Sequence, residues 1–308
     1  MSDFTSAKTS HRHGVISVLV ALPFVSLTGL FGKFLTFSPL LIVQGRTVFA
    51  FGALLLALFF LRKKIFFSDL REWLWLALSG SILGVHWIAF FQAIQVSTVA
   101  IGLLSFASYP LFTTLLEPLF FREPLRVRNV FAALIVICGL ALMATSSSDD
   151  SNTIISGSVF HGILWGLMAG FGFAVLTLLN RGHVRKHSAL LITCWQNGFA
   201  ALVILPWSLS ESWILSGKEL GLLFLLGVVC TVGGHTLLIN GLRHVRAQVA
   251  SLLIAGLEPV FAILFALILL GEVPSLQTLL GGVLIISTTV FIIYGTEQKE
   301  IPEQAVSK

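Results

Sequence analysis

Glu258, Arg46, His86 and His235 each fall inside a long apolar stretch of this chain. A charged group at the centre of a membrane helix costs about 2.5–3.5 kcal/mol on insertion scales, so such residues call for a reason. Glu258 is followed by Pro259. That proline leaves the Ala255 carbonyl without its usual helical partner. A carboxyl beside a locally opened helix can take up a proton or hold an ammonium group, or it can simply bond a neighbouring helix. Ser251 and Ala255 are small and share its face, which suits the wall of a cavity. Arg46 can clamp a carboxylate in a two-pronged contact. Equally, it can orient or gate helices through an ion pair or helix-end carbonyls. Neutral histidine both donates and accepts, and its ordinary pKa suits proton coupling. Two histidines supply no third metal ligand at ligand spacing, so no metal is expected.

Aromatic residues surround these groups. Trp87, Phe90 and Phe91 follow His86, with Phe90 on the His86 face. Tyr109, Trp165 and Trp195 are further rings in the middle of apolar stretches. An apolar cavity with a few polar anchors is how small solutes are commonly held. The expected solute-binding set is therefore His86, Trp87, Phe90, Tyr109, Trp165, His235 and Glu258, with Arg46 and Gln196 gating or orienting. Plain helix packing accounts for most of the 26 phenylalanines. Trp73, Trp75, Trp207 and Trp213 lie near stretch ends and read as interfacial anchors.

The elements that must position these residues are set by composition. Of 308 residues 56% are hydrophobic and 11% charged, with a mean hydropathy of +0.96. Soluble domains carry about 25% charged residues, so a soluble enzyme, a nucleic-acid binder and a disordered chain are all disfavoured. A bilayer-crossing helix needs about 20 mostly apolar residues. Ten stretches qualify: 14–36, 38–61, 73–95, 97–121, 127–145, 157–180, 189–208, 219–242, 247–270 and 275–294. The first is too long for a signal-peptide core and no A-x-A site follows, so an uncleaved helix is expected. Cys138, Cys194 and Cys230 all lie in spans without ligand spacing and read as packing residues.

If the N-terminus is cytoplasmic, 16 of the 19 basic residues fall on cytoplasmic segments. Lys33 and Lys218 lie outside, and Arg46 lies within the second span. Basic residues favour the cytoplasmic side. The net charge of +5 is thus an orientation signal and calls for no nucleic acid.

The chain also repeats itself. Ser38-Pro-Leu-Leu-Ile recurs as Ser188-Ala-Leu-Leu-Ile. Residues 96–124 lie without gaps on 245–273, with seven identities among 29 pairs, including Pro110 with Pro259 and Glu123 with Glu272. At the same offset Gly84 matches Gly233 and His86 matches His235. Tyr109 stands opposite Glu258, and Gln196 opposite Arg46. Five spans per copy is an odd number, so the copies enter the membrane from opposite sides. The expected architecture is all-α: ten transmembrane helices as two five-helix inverted-topology repeats with both termini cytoplasmic. Its parts are a tail 1–13, a first repeat 14–145, an external linker 146–156, a second repeat 157–294 and a tail 295–308. Inverted repeats typify secondary transporters, whose site lies near the midplane.

With this architecture the sequence resembles the drug/metabolite transporter superfamily, above all its EamA-type group. The resemblance rests on Phe121-Arg122-Glu123 and Leu270-Gly271-Glu272 at the ends of the fourth helix of each half. It also rests on Gln44-Gly45-Arg46 and on the run Ser97 to Leu103 entering helix four. It implies movement of small organic solutes, often amino acids or related metabolites and commonly outward. It also implies an Arg at this place in members with different substrates, which favours an orienting role for Arg46.

Three glycines, Gly162, Gly166 and Gly170, share one face of span six and permit close helix approach. Glu123 and Glu272 read as caps or loop anchors, and Glu117 as a partner for Arg122 or Arg126. No P-loop, HExxH, GxSxG or pore loop occurs, so ATP-driven pumping, an embedded hydrolase and a selective channel find no support. The expectation is a carrier and not an enzyme, without cofactor, acting as monomer or homodimer in a bacterial inner membrane. Its partners are a small zwitterionic solute, the lipid bilayer and a possible coupling proton. Two alternatives stand beside it: an exchanger of a larger phosphorylated or nucleotide-like metabolite, and a membrane-embedded enzyme or scramblase.

Overall fold

A computed structural model describes residues 2–121, 127–144, 157–184, 186–214, 216–245 and 247–297. Glu117's side chain, Glu123, the linker 146–156 and the C-terminal tail lie outside the described residues. Among those described, all regular structure is helical. The order is α1 (Ser2–Thr28), α2 (Phe31–Phe34), α3 (Pro39–Phe60), α4 (Leu70–Val96), α5 (Val99–Phe106), α6 (Tyr109–Phe121) and α7 (Val127–Ala144). After the linker come α8 (Gly157–His183), α9 (Ala189–Ser208), α10 (Gly217–Phe224), a π-helical segment Leu225–His235, α11 (Thr236–Gly241), α12 (Ala247–Leu270) and α13 (Leu276–Glu297). Eight helical stretches among the described residues are long and apolar enough to cross a membrane, and Leu276–Thr288 is a shorter apolar helix. With free leucines and phenylalanines exposed along their outer faces, these helices build a multi-pass membrane protein.

Local chemistry explains several boundaries. Ser38 caps α3 by accepting the Leu41 N–H at 3.3 Å, with Pro39 in the first turn. Ser188 caps α9 in the same way through Leu191 at 3.3 Å. The recurring Ser-x-Leu-Leu-Ile is thus a repeated helix start. α10 opens on a reciprocal capping box of Ser216 and Glu219. Pro110 lacks an N–H, and the fourth span breaks at Ala107–Ser108 just ahead of it. Its counterpart Pro259 is carried inside a continuous α12.

The packing exchanges helices between the two halves. α8 lies along α4, α5 and α6, whereas α1 lies along α12, α11 and the π segment. α3 packs on α9, and α7 on α13. The glycine face of α8 makes its contact possible. A Cβ at Gly166 would sit 2.5 Å from the Ser105 Cβ, and one at Gly162 2.4 Å from the Ser97 Oγ. At the end rich in basic residues, the Glu72 carboxylate lies 3.3 Å from His183, 3.4 Å from His187 and 3.8 Å from Lys186, which ties α4 to the α8–α9 turn. At the other end, Glu272 accepts the Val99 N–H at 2.9 Å and so caps α5. That is the anchoring role its position suggests.

Candidate functional site

The exchange of helices leaves a cavity of about 50 Å³ between two walls of different chemistry. One wall is aromatic: His86, Trp87 and Phe90 from α4, Phe106 from α5 and Phe173 from α8. The other is more polar, with Thr28 from α1, Cys230 and His235 from the π segment, and Glu258 from α12. Arg46 of α3 reaches in between them. Four helical segments distant in sequence, α3, α4, the π segment and α12, therefore deliver to one place six of the nine residues expected to act together.

Arg46 is 3% exposed. Its Nε and Nη2 donate to the Thr231 Oγ1 at 3.2 and 2.9 Å. Its guanidinium carbon lies 3.6 Å from the Trp87 ring centroid, a cation–π stack, with Phe91 farther off at 5.6 Å. The remaining nitrogen, Nη1, is buried without a hydrogen-bond partner. The expected two-pronged clamp on a carboxylate is therefore altered: the side-on fork is spent on Thr231, and Nη1 is left free. Thr231 in turn donates to the Leu226 carbonyl five residues back at 2.8 Å, a partner that the π winding brings within reach.

The two histidines occupy the same cavity with unequal bonding. His86 Nδ1 lies 2.8 Å from the Ala169 carbonyl. His235 Nδ1 is buried and unpartnered, with its ring 5.6 Å from that of Trp87. Glu258 is 2% exposed, and among the described residues its carboxylate makes no hydrogen bond or ion pair. Buried polar groups are normally satisfied. Three incompletely satisfied ones on a single cavity are what a polar solute would complete.

Other expected residues stand apart from it. Tyr109 is fully buried behind the aromatic wall, stacked on Phe106 at 5.1 Å and edge-on to Phe173 at 4.8 Å. Trp165 is half-buried in the core and does not line the cavity. Gln196 donates to Asn180 at 2.6 Å and Ser79 at 3.1 Å, joining α9 to α8 and α4. Trp207 is exposed at a helix end as an anchor would be, whereas Trp73 packs inward on Trp195 at 4.5 Å. Its indole donates to the Phe67 carbonyl, so a local bond competes with the interface. Sequence reasoning missed Thr231 and the π segment, for which Gly233-Gly234 was the only local sign of an unusual backbone.

The EamA-like transporter family model matches this chain twice, over residues 12–145 and again over 160–294. The chain belongs to the EamA-like transporter family. It is 27% identical over 261 residues to the uncharacterized transporter YwfM of Bacillus subtilis (strain 168), covering 81% of this chain and 84% of that one. It is likewise 27% identical to the uncharacterized transporter YxxF of the same organism, over 67% of this chain and 65% of that one. An S-adenosylmethionine uptake transporter of Rickettsia conorii (strain ATCC VR-613 / Malish 7) is 30% identical over 62% of each chain. The match thus spans less than two thirds of YxxF and of the Rickettsia protein. A solved crystal structure shares the fold with a TM-score of 0.63 at 16% identity, covering 92% of this chain and 95% of that one. This EamA-like protein is therefore a transporter by family, with a membrane-embedded helical fold and, between its helices, a largely apolar cavity with a few polar side chains.

Proposed function

We propose that the protein carries a small polar or zwitterionic metabolite, an amino acid or related compound, across a bacterial inner membrane by alternating access, in the outward direction. The observation that carries this reading is the shared cavity in which Arg46 Nη1 and His235 Nδ1 are buried without partners and Glu258, among the described residues, makes no hydrogen bond or ion pair. A solute carboxylate would meet Arg46 and His235, and its ammonium group would meet Glu258. Trp87, Phe90 and Phe106 would enclose its apolar part. Glu258 or the histidines would carry a coupling proton. The cavity has room for only a few waters, so on this reading it is a closed form that must widen to admit a metabolite.

The same reading takes the chain as ten helices in two inverted repeats, 14–145 and 157–294, joined by an external linker, with cytoplasmic tails 1–13 and 295–308. It is supported by the two family matches and by the mutual exchange of α1 and α8 between halves. It is supported as well by the gathering of basic residues on one side. Alternating access then arises when the halves trade conformations. A second reading, uptake of a nucleoside-bearing amino acid, is favoured by the Rickettsia relatives named as S-adenosylmethionine uptake transporters.

A counterflow and thermal-shift panel on the purified protein tests both readings. It would include amino acids, polyamines, nucleosides, sugar phosphates and S-adenosylmethionine. Stabilisation and counterflow by solutes bearing both carboxylate and ammonium are expected. A response confined to sugar phosphates would overturn the proposal, and a response to S-adenosylmethionine alone would favour the second reading.

A further inference from the structure

Glu72 and Glu219 hold equivalent places in the two halves. Each is the third residue of its helix, α4 or α10, behind the capping residues Asp69 and Ser216. Each also reaches across to the other half, where it meets the turn ahead of a serine-capped helix. Glu72 lies 3.3 Å from His183, 3.4 Å from His187 and 3.8 Å from Lys186, just ahead of Ser188. Glu219 accepts the Thr36 hydroxyl, just ahead of Ser38, and Ser38 itself donates to Glu211. Thr36 and Lys186 each stand two residues before the capping serine. The two contacts occupy opposite ends of the bundle. Glu72 starts α4, while Gln95 near its other end donates to the Phe37 carbonyl at 2.8 Å. A helix of 27 residues spans about 40 Å. Both turns are braced within their own half. Lys33 donates to the Ser97 carbonyl at 2.7 Å, and Arg243 donates to the carbonyls of Val184 and His187 at 3.1 and 2.7 Å. The carboxylate contacts are thus joints between the halves.

We infer that Glu72 and Glu219 are reciprocal latches, one at each membrane face, which part in turn as the carrier opens to one side and then the other. The inference rests on the reading of the chain as an alternating-access carrier and names the contacts that must separate. Both latches are closed in this structure, in keeping with a cavity of only about 50 Å³. Each is built to part. The Thr36–Glu219 bond is exposed, where water competes for both groups. Lys186 is 70% exposed, so its attraction to Glu72 is screened. The chemistry of the two differs: hydroxyls meet carboxylates at one end, and two imidazoles and an ammonium surround a carboxylate at the other.

Cys230, buried on the cavity wall, is a native reporter of the open face. The full chain is treated with the impermeant reagent 2-sulfonatoethyl methanethiosulfonate in intact cells and in inside-out vesicles. Modification of Cys230 is then read by peptide mass spectrometry. Thr36→Val combined with Glu211→Ala frees the Glu219 end and should raise labelling in cells at least five-fold, with no rise in vesicles. Glu72→Gln should do the converse. Thr36→Lys gives Glu219 the residue type that Glu72 meets, keeps that end latched and should stay within two-fold of the parent. If Glu72→Gln does not yield folded protein, Lys186→Thr combined with His187→Asn serves instead. Parental labelling in either latch variant, a rise at both faces in one variant, or a rise at the same face in both would overturn the inference. The mirrored labelling with no solute carried in the transport panel would instead count against the functional reading alone.

Discussion

The Arg46–Trp87 stack makes a quantitative prediction, because it places a buried cation 3.6 Å from a ring centroid. A desolvated cation–π contact is worth about 2 kcal/mol. Replacing Trp87, 6% exposed, by Leu removes that contact and leaves a partial void, so the cost should be about 3 kcal/mol or more. Arg46→Met acts differently. It deletes a buried charge whose Nη1 is already unpaired, and exchanging a buried charge for an apolar side chain is often close to neutral. The double variant should therefore lose much less than the sum of the two single ones, with a coupling of about 2 kcal/mol. The assay is equilibrium unfolding in mixed micelles across the four proteins of the cycle, with Trp87→Phe as a control that retains a ring. A coupling within about 0.3 kcal/mol of zero would show that the ring does not hold the guanidinium.

Glu258→Gln should reduce counterflow of a zwitterionic amino acid at least ten-fold and flatten its pH dependence; parental rate and pH profile would deprive Glu258 of its role. Gly166→Leu should lower the yield of folded protein or its thermal midpoint by several degrees, since even a Cβ would sit 2.5 Å from Ser105 across the α8–α5 contact. Glu272→Ala should destabilise the α5 start by about 1 kcal/mol in unfolding measurements, whereas Glu272→Gln, which still accepts the Val99 N–H, should cost less than half of that. On the proposed topology, a cysteine at Asp149 should react with an impermeant maleimide from outside intact cells and one at Lys63 should not. The reverse pattern would invert the topology.

Much of this architecture is legible in the sequence because the bilayer leaves few choices. Long apolar runs must be helices, and serine caps such as Ser38 and Ser188 mark where they begin. Glu258, Arg46, His86, His235, Trp87 and Phe90 were recognisable because polar groups and rings amid leucine need a reason, and all six line one cavity. Trp165 and Tyr109 carry the same type of signal but pack elsewhere. Periodicity tells which face a residue occupies and not whether that face meets a void or a neighbour. Thr231 was invisible for another reason. A threonine in an apolar helix usually bonds its own backbone, and only the π register turns its oxygen into an acceptor for Arg46.

The repeat explains the scaffold, while departures from it carry the chemistry. At the paired positions the first half has Tyr109, buried in a ring stack, where the second has Glu258 facing the cavity. Gln196 spends its amide nitrogen on Asn180 and Ser79, away from the cavity, whereas Arg46 keeps a free donor on the cavity wall. His86 is anchored on Ala169, whereas its counterpart His235 has a free ring nitrogen. The regular α4 likewise stands opposite a second-half helix wound as π around Thr231. A symmetric pair of halves can rock between two forms, but identical walls would offer a solute the same chemistry twice. The asymmetry gives one wall of rings and another of polar groups, with Arg46 held between them. On the proposed reading a zwitterion, itself unsymmetrical, would fit such a site in one orientation. That reading makes the unmatched members of each pair, and not the repeated scaffold around them, the residues on which specificity should turn.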